Sequence, residues 1–343
     1  MTQLEPFWKN SFVLAGSTRA TFEQMGQKSL SDRLVFLHES CLYADSEFSL
    51  LTDYVRSAAQ ESRRFPILCL SSNYHPYDKI KKILNADVGN ENYFILVADP
   101  KYAIDKNTAV WPEFLILINQ LHNFQITKTK KYRISYISGM LRYHRLQLWQ
   151  QIQPYITDQD VVRISQFGVE NFENTFDHEK IPLLYAQDSL QKWLNQLPWS
   201  NHSELIDNQD QTLLNVGNPW DNSHLAYNAM VNITGETLAD NDFMITEKTW
   251  KAYRSGCLVV NSGPTYVPAY LKKLGLEIWE EYDKCLPTLT KISLIKELFQ
   301  RDDIADIYQS HVGMIQHNQN LVSNIDFIKS QTVDAVGKLQ DLL

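Results

Sequence analysis

The sequence of 343 residues predicts an α/β protein with two similar halves. Short apolar runs end at turn residues, as residues 93–98 end at Asp99-Pro100. Between these runs lie segments whose apolar residues are three or four positions apart, the period of an amphipathic helix. The alternation occurs on both sides of the basic segment 128–133. Alternating strands and helices favour parallel sheets with helices on their faces.

The first half, residues 1–127, is predicted to form one Rossmann-like domain. Its strands are recognised as apolar runs and its helices by their three-four spacing. The predicted elements are strands 33–37, 66–70 and 93–98, and helices 48–58, 77–84 and 113–122.

The second half, residues 131–303, repeats this alternation and is predicted to form a second Rossmann-like domain that faces the first across a cleft. Residues 304–343 are predicted to be largely helical and to pack back towards the first domain. The predicted elements of the second half are strands 133–138, 161–166, 226–233 and 257–262, and helices 142–153, 188–196 and 247–255.

The composition is that of a packed globular enzyme, with 44% hydrophobic and 21% charged residues. The formal net charge of -8 argues against a protein whose whole surface wraps nucleic acid, although it leaves room for a local basic groove. No signal-peptide core and no stretch of about 18 apolar residues occurs, so we expect a cytoplasmic protein without a membrane span.

The four cysteines have neither zinc-ligand nor redox spacing, and we interpret them as core thiols. They are Cys41, Cys69, Cys257 and Cys285.

The segment 242–264 reads as a loop, a short helix and a buried strand. Thr246 is a good N-cap, Glu247 suits the first turn, and Gly256 suits a left-handed end of the helix. Lys248 is unusual, because a lysine at the start of a helix opposes the helix dipole at a cost of about 0.3 to 1 kcal/mol. A phosphate bound there would use both the lysine and the free N–H groups of the first turn.

This segment resembles the donor-binding motif of the α1,3-fucosyltransferases and related phage and bacterial glycosyltransferases. The residues that carry the resemblance are Ile245-Thr246-Glu247-Lys248, Trp250, and the Gly-x-Leu-Val-Val and Gly-Pro that follow. Residues 227–237 and 131–145 extend it, so that it covers roughly residues 131–320. Met244 and Thr237 depart from the family pattern of Tyr and Asn, which leaves UDP and GDP both open as the nucleotide of the donor.

The resemblance implies a GT-B glycosyltransferase that moves a sugar from a nucleoside diphosphate to an acceptor hydroxyl. It implies that Glu247 and Lys248, with Thr246 beside them, contact the ribose and phosphates of the donor. Arg142 and Arg145, three residues apart at a helix start, would grip the diphosphate, and Arg145 falls on the more regular position of the family pattern. Glu236 ends an apolar strand, where ligands bind in parallel sheets, and is a further donor contact.

An inverting transfer needs a base that takes the proton of the acceptor hydroxyl, and we expect it at a strand end of the first domain. Glu39 is the first candidate and His38 the second. Asp99, at the end of the third strand, also fits, and His75, in a loop bounded by proline, fits less well.

We expect no metal and no cofactor besides the donor itself. The triplets Asp158-Gln-Asp160 and Asp240-Asn-Asp242 could bind a metal diphosphate, but they lie in polar segments where turns explain them better.

The acceptor is left open between a glycan and a hydroxymethylated base in phage DNA. Four basic residues could line a DNA path, namely Lys128, Lys130, Lys131 and Arg133. The alternative from another class is a non-catalytic module that keeps the nucleotide pocket but has no acceptor base.

Overall fold

The computed structural model describes residues 18–38, 55, 65–70, 77–119, 129–139, 142–165, 192–203, 205, 225–236 and 245–343. The chain forms two compact units. Unit 1 comprises Met1–Gln120 and Asn324–Leu343, and unit 2 comprises Leu121–Ser323. Each unit has its own sheet, in which parallel pairs predominate, so the predicted α/β class is confirmed. Elements are numbered below among the described residues.

The sheet of unit 1 has four described strands in the order β1-β2-β3-β4, all parallel. The strands form because apolar runs such as residues 65–70 are buried along almost their whole length, as expected for a parallel sheet covered on both faces. β4 was not predicted, because three residues are too short to show a period. The strands are β1 (Leu34–His38), β2 (Phe65–Leu70), β3 (Phe94–Val97) and β4 (Thr108–Val110).

The helices of unit 1 include the end of the chain. The returning segment begins at Asn324, whereas the prediction began it at 304. The last helix packs against β4, where Lys338 Nζ donates to the carbonyl of Thr108 at 3.0 Å. The helices are α1 (Lys28–Ser31), α2 (Tyr77–Asp87), α3 (Glu113–Asn119), α10 (Ile325–Ser330) and α11 (Val333–Leu342).

The described strands of unit 2 have the order β7-β6-β5-β8-β9, and among them only the pair β6 and β7 is antiparallel. The chain passes from β5 to β6 on one side and then crosses back to β8 on the other side of β5. This reversal is a topological switch point, the place where ligands bind in open α/β sheets. The strands are β5 (Tyr132–Ser138), β6 (Val161–Ile164), β7 (Trp199–Ser200), β8 (Ala229–Thr234) and β9 (Leu258–Asn261).

The main core of unit 2 lies between one face of this sheet and two helices that pack on each other, α4 and α7. Trp149 of α4 and Ile295 of α7 are fully buried there. The helices are α4 (Tyr143–Ile152), α5 (Glu247–Arg254), α6 (Val267–Lys273), α7 (Thr288–Phe299), α8 (Ile304–Ser310) and α9 (Val312–Ser323).

Some predicted features lie outside the described residues, namely helix 48–58 apart from Val55, the start of helix 188–196 up to residue 191, and Cys41; residues 192–194 are helical. Cys69 and Cys257 are buried thiols, as predicted, whereas Cys285 is exposed because it lies in the irregular segment before α7. Within the part of the chain that is described, no helix has the length and apolar character needed to cross a membrane.

Candidate functional site

The switch point of unit 2 brings together residues that follow two adjacent parallel strands. β5 and β8 pair in parallel, with Tyr136 opposite Ile233. Arg142 follows β5 and caps α4, and Glu236 follows β8. Because the carboxyl ends of parallel strands meet at one edge of a sheet, the predicted donor-binding residues of both strands lie at the same edge.

Glu236 fixes the start of α5. Its Oε1 accepts hydrogen bonds from the backbone N–H of Thr246 at 3.0 Å and from Thr249 Oγ1 at 2.6 Å. Its Oε2 accepts from Thr246 Oγ1 at 2.7 Å, and the residue is 0% exposed. The carboxylate is thus occupied in holding the helix, so in this structure Glu236 positions Thr246 rather than facing a ligand.

The first turn of α5 has the features that its sequence predicts. Thr246 is the N-cap, with extended backbone and a side chain that accepts from the N–H of Lys248. Gly256, just after the helix, has a φ of 71°, so the predicted left-handed end is confirmed. Both predictions succeed because capping depends on neighbouring residues only.

Lys248 lies at the exposed side of this turn. Its Nζ is 3.1 Å from Thr246 Oγ1 and 3.3 Å from Glu247 Oε1, and its side chain is 28% exposed. Thr246 Oγ1 in turn donates to Glu236. The lysine is therefore held by a short relay of hydrogen bonds while its ammonium group can still reach a ligand.

Glu247 remains ionised beside this lysine. Burial raises the pKa of its carboxyl, but the charges of Lys248 and Lys251 lower it, and the net shift is downward. Its side chain is 23% exposed. An ionised, partly exposed carboxylate can accept hydrogen bonds from hydroxyl groups such as those of a ribose.

Arg145 is a positioning residue. It is 1% exposed, its Nε donates to the carbonyl of Glu236 at 3.2 Å, and its Nη2 donates to the carbonyl of Gly235 at 2.6 Å. A Cβ on Gly235 would lie 3.2 Å from the ring of Tyr136 and 3.5 Å from Arg145 Nε, so this position favours glycine. The guanidinium group therefore satisfies the carbonyls that follow β8.

Arg142 has a different environment. The residue is 7% exposed, and its Nε is buried without a hydrogen-bond partner among the described residues. Arg142 is the N-cap residue of α4, and its side chain makes no capping hydrogen bond. The sequence favoured Arg145 over Arg142 as the phosphate contact. In the structure Arg145 is bonded to backbone carbonyls and the Nε of Arg142 is not bonded to any described residue, so Arg142 is the better candidate.

The charges at this edge leave an excess of positive charge. The cations are Arg142, Arg145 and Lys248, and the anions are Glu236 and Glu247. These three positive and two negative side chains, counted among the described residues, leave one positive charge, to which the N-terminus of α4 adds a partial positive charge. The arrangement can bind an anion.

The candidate acceptor bases are mostly outside the described residues. This holds for Glu39 and His75, and also for the side chain of His38, whose backbone ends β1. Asp99 is 3% exposed, accepts from the N–H of Lys101 at 3.0 Å and pairs with its Nζ at 3.1 Å. Asp99 therefore acts as the cap of a turn.

The basic segment before β5 is partly engaged inside unit 2. Lys130 Nζ donates to the carbonyls of Tyr227 at 2.8 Å and Ser255 at 2.6 Å. Arg133 donates to the carbonyl of Phe299 at 3.1 Å and pairs with Asp160. Of the four predicted DNA-lining residues, two have structural roles, Lys131 is exposed, and Lys128 lies outside the described residues.

One of the two aspartate triplets has a structural explanation. Asp160 Oδ2 accepts from both the backbone N–H and the hydroxyl of Thr157 at 2.9 Å, as in a polar turn. The other triplet, 240–242, lies outside the described residues. In the described parts of the chain, no group of three His, Cys, Asp or Glu side chains is placed to hold a metal ion.

Sequence reasoning missed a buried charged pair near the end of β9. Asp283 is 2% and Lys291 1% exposed. Asp283 lies in the acidic sequence Glu280-Glu-Tyr-Asp283, which looks like a solvated surface. Lys291 does carry a signal, because it falls on the apolar stripe of α7 beside Ile295.

Comparison with models of known protein families gave no match, and no curated protein matches the chain.

Proposed function

We propose that the chain is a glycosyltransferase that transfers a sugar from a nucleoside diphosphate to an acceptor hydroxyl without a metal ion. In this proposal the two α/β units are the halves of a GT-B enzyme, and unit 2 binds the donor. The observation that carries the proposal is the Nε of Arg142 at the switch point of the unit 2 sheet, which is buried and has no hydrogen-bond partner among the described residues.

A buried arginine without a partner is costly unless a ligand completes its hydrogen bonds. Leaving a buried donor unsatisfied costs about 1 to 3 kcal/mol, and more when the group is charged. Arg142 is the N-cap residue of α4 and does not cap it with its side chain, and the N–H groups of the first helical turn also favour an anion. A phosphate group would satisfy both the guanidinium group and the helix N–H groups. The arginine can bind two of its oxygens through two parallel hydrogen bonds.

The other residues of the site have distinct roles in this proposal. Lys248 neutralises the charge that develops on the departing diphosphate, which cations fixed in a closed site can stabilise by several kcal/mol. Glu247 accepts hydrogen bonds from the hydroxyl groups of the ribose. Arg145 and Glu236 position these groups through the backbone after β8 and through Thr246.

The acceptor in this proposal is a glycan hydroxyl, activated by Glu39 or His38. The DNA alternative depended on the basic segment, and the ammonium group of Lys130 and the guanidinium group of Arg133 bind backbone carbonyls within unit 2. Those interactions compete with phosphate contacts, which dominate affinity for DNA.

The test is a thermal-shift screen against UDP, GDP, CMP and dTDP, with and without EDTA. A ligand at a hundred times its dissociation constant adds about 2.7 kcal/mol to the free energy of unfolding. We expect UDP or GDP to raise the melting temperature in EDTA, and Arg142→Met to reduce the shift to about half or less at the same ligand concentration. The exposed Lys272, which pairs with Glu280, supplies the control variant Lys272→Met.

If no nucleoside diphosphate shifts the melting temperature, the proposal is wrong. If one does, the corresponding nucleotide sugars are assayed for slow donor hydrolysis and for transfer to glycans. Binding without hydrolysis or transfer would favour a non-catalytic nucleotide-binding module instead.

A further inference from the structure

The carboxyl end of β9 carries a second group of buried polar side chains, which the proposed phosphate site does not use. Tyr253 lies in the last turn of α5, Asn261 ends β9, and Asp283 precedes α7. Their exposed fractions are 3%, 0% and 2%. Asn261 is opposite Thr234 in the ladder between β8 and β9, so the group adjoins the strand end that leads to Glu236.

The backbone around this group is held in place by charges of both signs. Asp283 Oδ1 accepts from the N–H of Asn261 at 3.1 Å. Lys291 Nζ donates to the carbonyls of Gly263 and Pro264, each at 3.3 Å. Asn261 Oδ1 accepts from the N–H of Gly263 at 2.8 Å, so the orientations of both the amide and the carboxylate are fixed by these contacts.

The remaining polar atom of each side chain has no hydrogen-bond partner among the described residues. Asp283 Oδ2, Asn261 Nδ2 and Tyr253 Oη are buried and make no hydrogen bond with the part of the chain that is described. Burial raises the pKa of Tyr253, and the nearby charge of Asp283 raises it further, so the two groups lie within electrostatic reach. A buried polar atom without a hydrogen bond destabilises the fold, which argues for a ligand that completes the hydrogen bonds of these three atoms.

The three atoms differ in what they offer. An ionised carboxylate accepts, an amide N–H donates, and a phenol does both. A hydroxyl group both donates and accepts, so it fits this combination. An anion would meet the charge of Asp283, and a cation would meet the amide N–H and the ammonium of Lys291.

We propose that Asp283 Oδ2, Asn261 Nδ2 and Tyr253 Oη together bind one hydroxyl-bearing ligand, either an ordered water or a sugar hydroxyl of the donor. Ordered waters in proteins make two to four hydrogen bonds of this kind, commonly about three. The water form is independent of the proposed function, whereas the sugar form depends on it.

The experiment compares Tyr253→Phe, Asp283→Asn and the double variant with the wild-type protein. Melting temperatures are measured without ligand, and affinities are measured for the nucleoside diphosphate that binds and for its sugar conjugate. Tyr308→Phe is the control in the same unit, because the Tyr308 hydroxyl donates to the carbonyl of Gly256 at 2.9 Å. The fall in melting temperature of Tyr308→Phe shows how much stability is lost when a hydrogen-bonded tyrosine hydroxyl is removed.

If the ligand is water, Tyr253→Phe lowers the melting temperature by about 2 to 4 °C, like the control. In that case Tyr253→Phe lowers the melting temperature less in the Asp283→Asn background than in the wild-type protein, because both side chains bind the same water. If the ligand is a sugar hydroxyl, Tyr253→Phe does not lower the melting temperature. Instead it weakens binding of the sugar conjugate about fivefold and leaves binding of the nucleoside diphosphate unchanged.

Two results would overturn the inference. One is an unchanged or raised melting temperature together with unchanged affinity for both nucleotides, which would mean that the hydroxyl of Tyr253 has no ligand. The other is full additivity of the two substitutions in both measurements. If the wild-type protein binds no nucleotide, the proposed function fails, but the melting temperatures still decide whether a water is bound.

Discussion

The carboxylate of Glu236 holds Thr246 by two hydrogen bonds, one from its backbone N–H and one from its hydroxyl. The two residues are ten positions apart, and one follows β8 while the other caps α5. This pairing orients the first turn of the helix, and with it the side chain of Lys248, relative to the edge of the sheet. The donor site proposed for unit 2 depends on that orientation.

Glu236→Gln tests this relationship. A glutamine amide accepts through only one atom, so a hydrogen-bond donor now facing Oε1 or Oε2 would be left unsatisfied. We expect the free energy of unfolding to fall by about 1 to 3 kcal/mol, and nucleotide affinity to fall with it. Glu247→Gln, which changes a partly exposed carboxylate one residue before Lys248, should leave the stability nearly unchanged. Equal stability of the two variants in urea titrations would contradict this role of Glu236.

Arg142 and Arg145 give a matched pair of substitutions on one helix start. Arg145→Met removes the hydrogen bonds to the carbonyls of Gly235 and Glu236, so we expect a loss of about 3 kcal/mol in unfolding free energy. Arg142→Met removes a guanidinium group whose buried Nε has no partner in the described structure, so stability should change by about 1 kcal/mol or less.

The effect of Arg142→Met should be large on nucleotide affinity, although it is small on stability. Arg142→Met is expected to weaken binding of the nucleoside diphosphate by about tenfold or more, because a charge-assisted hydrogen bond to phosphate is lost. Isothermal titration at a temperature where both variants are folded measures this. Retained affinity in Arg142→Met would remove this residue from the proposed site.

The sequence predicts the local features of this site better than its tertiary contacts. Thr246 and Gly256 could be assigned as helix ends because each acts on its own turn. The bond from Thr249 to Glu236 spans thirteen positions and depends on the placement of α5 against β8, which no local pattern encodes.

The strand order and the structural roles of charged residues also depend on tertiary contacts, so local sequence patterns do not predict them. Alternating runs predict parallel strands, but the position of the switch point depends on which way the chain crosses after β6. Asp283 looks like a surface residue in sequence because its burial is produced by α7 and the end of β9. Lys130 looks like part of a basic surface because its carbonyl partners are about a hundred residues or more away along the chain.

Lys248→Met should affect turnover far more than stability. The ammonium group contacts only Thr246 and Glu247 among the described residues, and it is 28% exposed, so its loss costs the fold little. If it stabilises the leaving diphosphate, turnover should fall about a hundredfold or more. Lys272→Met, another lysine with a carboxylate partner, is the control and should retain full turnover. Unchanged turnover in Lys248→Met would exclude this role.

Asp283 should make the stability of unit 2 depend on pH in a direction opposite to that of most carboxylates. Burial raises its pKa to about 6 from the ordinary value of 3.8, although Lys291 and the N–H of Asn261 lower it. The unfolded chain therefore loses this proton first as pH rises. The contribution of Asp283 to stability is largest below about pH 4 and falls until about pH 6, by about 3 kcal/mol at most.

Asp283→Asn removes this titration, so its stability relative to the wild-type protein should increase between pH 4 and pH 6. Among the described residues, Lys291 of α7 and Tyr253 of α5 interact with the charge of Asp283, and burial holds the pKa of Tyr253 well above this interval. Asp303→Asn supplies a control of opposite sign, because Arg301 lowers the pKa of Asp303. That variant should lose stability relative to the wild-type protein as the pH rises to about 4, and the difference should then stay constant up to pH 6. Urea titrations at four pH values measure both differences, and parallel curves for Asp283→Asn and the wild-type protein would show that Asp283 does not titrate in this range.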